Sequence, residues 1–178
     1  MSVPSPADPA DPADPAGTPP VAAKAWRVKI GLLVAAVVLA VADLVIKALA
    51  EELLSNGATV DLGLVNLRLV YNTGVAFSLG ANLAPWLVIA ATAVTVLAMS
   101  WYAVSTAPAM PALSRAGAAM VVGGGAGNLV DRMDGRGVVD YLHSGWFPTF
   151  NLADVFVTVG VGLYVLGSLL GSRDQEKA

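Results

Sequence analysis

The chain has 178 residues, of which 56% are apolar and only 13% charged. That balance excludes an ordinary soluble domain and fits one compact membrane bundle of about four spans at roughly 20 residues each. The net charge of -3 is modest and no basic stripe is present, so nucleic acid is not an expected partner, and with no cysteine there is no disulfide, thiolate nucleophile or cysteine-ligated metal.

Residues 1 to about 20 repeat Ala-Asp-Pro and carry seven of the 11 prolines together with Asp8, Asp11 and Asp14. Such a segment buries too little apolar area to offset its ordering entropy, so residues 1–23 are expected to be a disordered tail. Lys24, Trp26, Arg27 and Lys29 then flank a first span that runs uncharged from Ile30 to Ala42 before meeting Asp43, Lys47 and Glu51. Ala40-Val-Ala42 has the small-residue pattern of a signal-peptide cleavage site, but the apolar run continues through Leu44, Val45 and Ile46, which favours a retained span.

Residues 51 to about 81 are mixed. Asn56-Gly57 is a turn signal, and the alternation of Val60, Leu62 and Leu64 predicts short strands, hence a small β-rich flap outside the bilayer between the first and second helices. A second span is expected from Asn82 to Thr106, with Pro85 in its first turn and Trp86, Trp101 and Tyr102 near its ends. Pro108 and Pro111 mark a short loop, Ala112 to Val130 a third span beginning near Arg115, and Leu152 to Gly171 a fourth. Gly123 with Gly127, and Gly167 with Gly171, are small-xxx-small pairs suited to close helix packing. The fold class is therefore an all-α membrane protein of four transmembrane helices, one domain over residues 24–172, with a short C-terminal tail at 173–178. Lys24, Arg27, Lys29, Arg115, Arg173 and Lys177 share one side, which places both termini in the cytoplasm.

The opposite edge gathers Asp43, Asn72, Asn128, Asp131, Asp140, Asn151 and Asp154. Carboxylates beside a bilayer cost a few kcal/mol unless paired, hydrated or used. His143 is the sole histidine, so no multi-histidine metal centre can be built, and its close serine, Ser144, is adjacent in sequence rather than placed as a triad partner. Gly123-Gly-Gly-Ala-Gly127 lacks the Lys-Ser/Thr of a phosphate loop. Two close carboxylates titrate as a coupled pair, one protonated and one ionised, which suffices for amide hydrolysis without metal or other cofactor. Taken singly, the acids also read as helix-end ion pairs, Asp131 with Arg132 and Asp140 with Arg136. A proton- or ion-coupled transporter is the alternative function, although relay acids ordinarily lie near the bilayer midplane rather than at span ends.

Asp43-Leu-Val-Ile-Lys47, Asn72-Thr-Gly-Val-Ala-Phe77, Gly124-Gly-Ala-Gly-Asn128-Leu-Val-Asp131-Arg132, Val138-Val-Asp140-Tyr141 and Phe150-Asn151-Leu-Ala-Asp154 together resemble, in order, the signatures of lipoprotein signal peptidase, or signal peptidase II. The resemblance implies an aspartic endopeptidase of the bacterial inner membrane. Such an enzyme cleaves prolipoproteins on the N-terminal side of a diacylglyceryl-modified cysteine, in contact with membrane lipid and as a monomer. It implies Asp140 and Asp154 as the catalytic dyad at the extracytoplasmic face. Asn72, Asn128, Asp131, Arg132 and Asn151 match the surrounding polar shell, with Asp131 expected to orient Arg132, and Asp43 and Lys47 match the first-span block.

Overall fold

The computed structural model describes residues 21–74 and 84–176. The Ala-Asp-Pro tail, Val75 to Phe77 of the second block, the expected start of the second span at Asn82 and Lys177 of the C-terminal tail lie outside the described residues. Four long helices dominate: α1 (Val21–Leu54), α2 (Pro85–Thr106), α3 (Ala112–Met133) and α4 (Leu152–Glu176). Pro85 opens α2, where its missing N–H has no intrahelical partner to lose. Asn56-Gly57 ends α1 as anticipated: Gly57 has a φ of 79° and donates to the Leu54 carbonyl at 3.1 Å.

α1, α2 and α4 are long and apolar enough to cross a membrane. Their outward faces carry Val37, Val41, Leu97, Trp101, Leu166 and Leu169, all exposed. α3, against which the other three helices pack, falls outside that set because its sequence is rich in glycine and carries Arg115, Asp131 and Arg132 near its ends. Leu32, Ala36, Ala103, Ala118 and Val122 form the apolar core where α1, α2 and α3 meet. α2 and α4 are linked across the bundle by the Tyr102 and Tyr164 hydroxyls, 3.0 Å apart.

Close helix approach depends on missing side chains, as the glycine pairs predict. A Cβ at Gly123 would meet the Ala36 carbonyl of α1, one at Gly127 the Asp43 carboxylate, and one at Gly167 the Ser114 backbone. Gly124 faces α4, with its would-be Cβ 2.5 Å from the Ala153 carbonyl oxygen, whereas Gly162 has nothing within 4 Å. Gly124→Ala is therefore expected to cost about 1–3 kcal/mol by forcing α3 from α4, while Gly162→Ala leaves the melting temperature unchanged or slightly raised. Paired thermal melts in detergent check both.

The sheet differs from the expectation of a flap built only between the first two helices. β1 (Val60–Asp61), β2 (Asn66–Asn72) and β3 (Val138–His143) form one antiparallel sheet in the order β1-β2-β3, so its third strand comes from between α3 and α4. Val70 pairs with Asp140 and Asn72 with Val138. Leu62 and Leu64, expected in a strand by alternation, instead belong to the β1–β2 turn. There Gly63 takes a φ of 87° and donates to Asp61 Oδ1 at 2.8 Å, an Asx turn that overrides the period-2 pattern. Ala50 and Leu54 at the end of α1 bury against Val139 and Tyr141, which seats the sheet on the helices.

Candidate active site

α4 begins with a reciprocal cap. Asn151 Oδ1 accepts from the Asp154 N–H at 3.0 Å, and Asp154 Oδ2 accepts from the Asn151 N–H at 3.2 Å. This is a capping box in Asn-x-x-Asp form, a signal present in the sequence that the block reading above does not use. It points the Asp154 carboxylate back over the helix start. There Asp154 Oδ1 also accepts from Asn128 Nδ2 of α3 at 2.9 Å.

Asp140 reaches the same place from β3. Its Oδ1 accepts from Asn151 Nδ2 at 2.8 Å and its Oδ2 from Asn72 Nδ2 at 3.1 Å. Asn72 is oriented by its own Oδ1, which accepts from the Gly74 N–H at 3.0 Å and so leaves the amide nitrogen for Asp140. Asn151, fully buried, thus touches both carboxylates, one through its side chain and the other through its backbone. Asp140 is only 2% exposed. Burial pushes its pKa up to about 6, with the Asp154 charge adding to the rise and the Asn72 and Asn151 amides opposing it.

Beneath this pair lies a buried ionic knot. Lys47 Nζ is 2.7 Å from Asp43 Oδ2 and 2.8 Å from Asp131 Oδ2, and donates to Asn128 Oδ1 at 2.8 Å. Three acceptors match the three protons of an ammonium. Asp43 also accepts from the Ala153 N–H at 2.9 Å, which ties α1 to the first turn of α4. Asp131 accepts from the Val139 N–H at 3.1 Å and so anchors β3. Asp131 therefore serves Lys47 and the sheet rather than orienting Arg132. Arg132 is held instead by the Asn128 carbonyl and by the Gly74 carbonyl, each at 3.0 Å. The Asp140 with Arg136 ion pair does not form either: Arg136 pairs with Glu51 and Asp134.

All nine residues singled out from the sequence, Asp43, Lys47, Asn72, Asn128, Asp131, Arg132, Asp140, Asn151 and Asp154, join this one network. His143 does not. It lies opposite Asn66 in the ladder and, three positions along β3 from Asp140, faces the other side of the sheet. Among the described residues no three His, Cys, Asp or Glu side chains are placed to share a metal ion. Asp140, Asp154, Asn72, Asn128 and Arg132 line a cavity of about 1120 Å³ that the apolar Val96, Met99, Val121 and Val157 also line. Arg132 Nε is buried there without a hydrogen-bond partner among the described residues. The arrangement supplies two coupled carboxylates, an unspent cationic donor and an apolar trough alongside.

A family model described as signal peptidase (SPase) II matches residues 35–170. The lipoprotein signal peptidase of Symbiobacterium thermophilum is 36% identical over 147 residues, covering 79% of this chain and 95% of that protein. That of Mycobacterium leprae is 40% identical over 161 residues, covering 82% and 74%. A bacterial membrane enzyme solved by the in meso method at 2.3 Å resolution shares the fold with a TM-score of 0.68 at 21% identity, covering 81% of this chain and 90% of that one. A second such structure, at 1.9 Å, gives a TM-score of 0.66 at 22% identity, covering 78% and 92%.

Proposed function

Because the chain belongs to the signal peptidase II family, a family of proteases, we propose that it removes signal peptides from prolipoproteins by aspartic catalysis, with Asp140 and Asp154 as the catalytic pair. The observation that carries this reading is Asn151, which bonds both carboxylates, each of which lines the cavity. Cleavage falls on the N-terminal side of a diacylglyceryl-modified cysteine. The substrate enters sideways from the bilayer, its apolar parts against the Val96, Met99 and Val157 wall. α3 is the fourth span, both termini are cytoplasmic, the enzyme works as a monomer in the bacterial inner membrane, and the sheet covers the site at the outer face.

Asp140, with its raised pKa, holds the proton and Asp154 is the base. Asp154 takes a proton from water as the oxygen attacks the scissile carbonyl. Asp140 gives its proton to that carbonyl oxygen; as the C–N bond then breaks, Asp154 passes its proton to the leaving amine nitrogen and Asp140 takes one back from the diol hydroxyl, which restores both carboxyls. Arg132 Nε, buried without a partner among the described residues, is placed to donate to a carbonyl of the substrate backbone. Asn72, Asn128 and Asn151 fix the carboxylates, and Asp43, Lys47 and Asp131 brace the elements that carry them.

The sign of the pH dependence follows. Asp140 binds its proton more tightly when folded than an ordinary aspartate with its pKa of 3.8, so the protonated form prevails below about 6 and is lost above it. The stabilisation from that proton is complete below the ordinary aspartate range and disappears as pH rises through about 6. kcat/KM should likewise fall as pH rises through that value, with the apparent pKa belonging to the pair. A pH profile with its only limb below pH 4 would remove Asp140 from the acid role.

The function is tested with purified protein in detergent and a lipidated prolipoprotein. A gel shift to the processed form that persists in chelator supports the reading; no shift with lipidated substrate, or one abolished by chelator, overturns it. The transporter alternative would show no processing at all.

A further inference from the structure

Asp43, Lys47 and Glu51 recur every four residues and share one face of α1. The first two are buried in the ionic knot, while Glu51 emerges at the water-facing end. There Arg136 Nη1 meets Glu51 Oε1 at 2.5 Å and the Tyr71 hydroxyl at 3.2 Å, and that hydroxyl donates to Glu51 Oε1 at 2.6 Å. The guanidinium also lies 5.3 Å from the centre of the Tyr71 ring. Its other edge donates to Asp134 from Nε at 2.9 Å, so the α3–β3 turn aims it. The Glu51 bond holds Arg136 even more firmly protonated than an ordinary guanidinium, which keeps the cluster charged.

We propose that Glu51, Tyr71 and Arg136 form a clasp that positions Asn72 against Asp140. Tyr71 immediately precedes Asn72 and pairs with Val139, the neighbour of Asp140. The clasp grips the strand from the outside at the residue before Asn72. From the other side, Gly137, with a φ of 98°, lies so close that a Cβ there would stand 2.7 Å from the Asn72 carbonyl oxygen. The two grips fix the backbone at Asn72, and the Gly74 N–H on its Oδ1 turns the amide nitrogen toward Asp140 at 3.1 Å. Exposed ion pairs add little to global stability, but small displacements of groups that orient a catalytic residue lower turnover strongly. The three residues are positioning residues, and the inference rests on the reading of Asp140 and Asp154 as the catalytic pair.

The test compares the full chain with R136Q, R136K, Y71F and D154N in neutral detergent, measuring kcat, KM and melting temperature at low and high NaCl on a lipidated prolipoprotein. R136Q is expected to lower kcat about fivefold with little change in KM or melting temperature, and R136K to recover part of the loss. Because the clasp is solvent-exposed, the kcat of the unaltered chain should fall toward the R136Q value as salt rises, while R136Q stays flat. Y71F, which keeps the ion pair, should lose about twofold. A wild-type kcat in R136Q, or the same salt response with and without Arg136, overturns the clasp. If R136Q does not fold, a salt-independent kcat in the unaltered chain together with full activity in Y71F overturns it. Turnover by folded D154N would instead overturn the catalytic pair, so the two failures are told apart.

Discussion

Asp154→Asn should lower prolipoprotein cleavage by about a thousandfold or more while leaving a folded protein, and Asp140→Asn should do the same. Both carboxylates act directly in the proposed proton transfers, so neither can be neutralised without removing a base or an acid. The fold survives because their neighbours are amides and N–H groups. Asp154 accepts from Asn128 and from the Asn151 N–H, and Asp140 from Asn72 and Asn151. An asparagine oxygen keeps one of each two bonds, and the lost one costs about 1 kcal/mol. Melting temperatures within a few degrees of the unaltered chain, with no processed product on a gel, are the expected result. Appreciable turnover by either folded variant would sink its catalytic assignment.

The second large effect is on stability. Lys47 is 2% exposed and Asp43 fully buried, and the ammonium is the shared cation for Asp43 and Asp131. Lys47→Met leaves both carboxylates without it and should cost about 3–5 kcal/mol, seen as a steep fall in melting temperature and in yield of monodisperse protein. The loss is not confined to packing. Asp43 holds the first turn of α4 through Ala153, and Asp131 holds β3 through Val139, so the two elements bearing Asp154 and Asp140 loosen together. Adding Asp131→Asn to Lys47→Met removes one of the stranded charges and should restore part of the stability. A single variant as stable as the unaltered chain would show that the knot braces nothing.

Bundle architecture was legible in the chain because helices announce themselves locally. Pro85 at a helix start, Asn56-Gly57 at a helix end and glycines four apart each state a backbone requirement that needs no distant partner. The same holds for Asn151 and Asp154, whose capping box is written within four residues. Apolar composition likewise marks α1, α2 and α4 as long enough and greasy enough to cross a membrane.

Where local signals misled, a longer-range contact or a turn had the deciding energy. Asp131 and Arg132 are adjacent in sequence, yet neighbours on a helix point about 100° apart. Asp131 found Lys47 on α1, and Arg132 found the Gly74 carbonyl beyond β2. Arg136, four residues before Asp140, joined Glu51 on α1, which is 85 positions away. β3 was hidden because Val138 to His143 acquires a partner only when β2 is brought back over the bundle. By itself, then, the sequence determined which segments are helical, where they end and which residues are polar at one edge. Only the tertiary structure decided the partners, since hydrogen bonds such as Ala153 to Asp43, 110 positions apart, depend on how close the glycine faces let the helices come. Burial then set the strength of each charge, by removing the water that would otherwise have screened it.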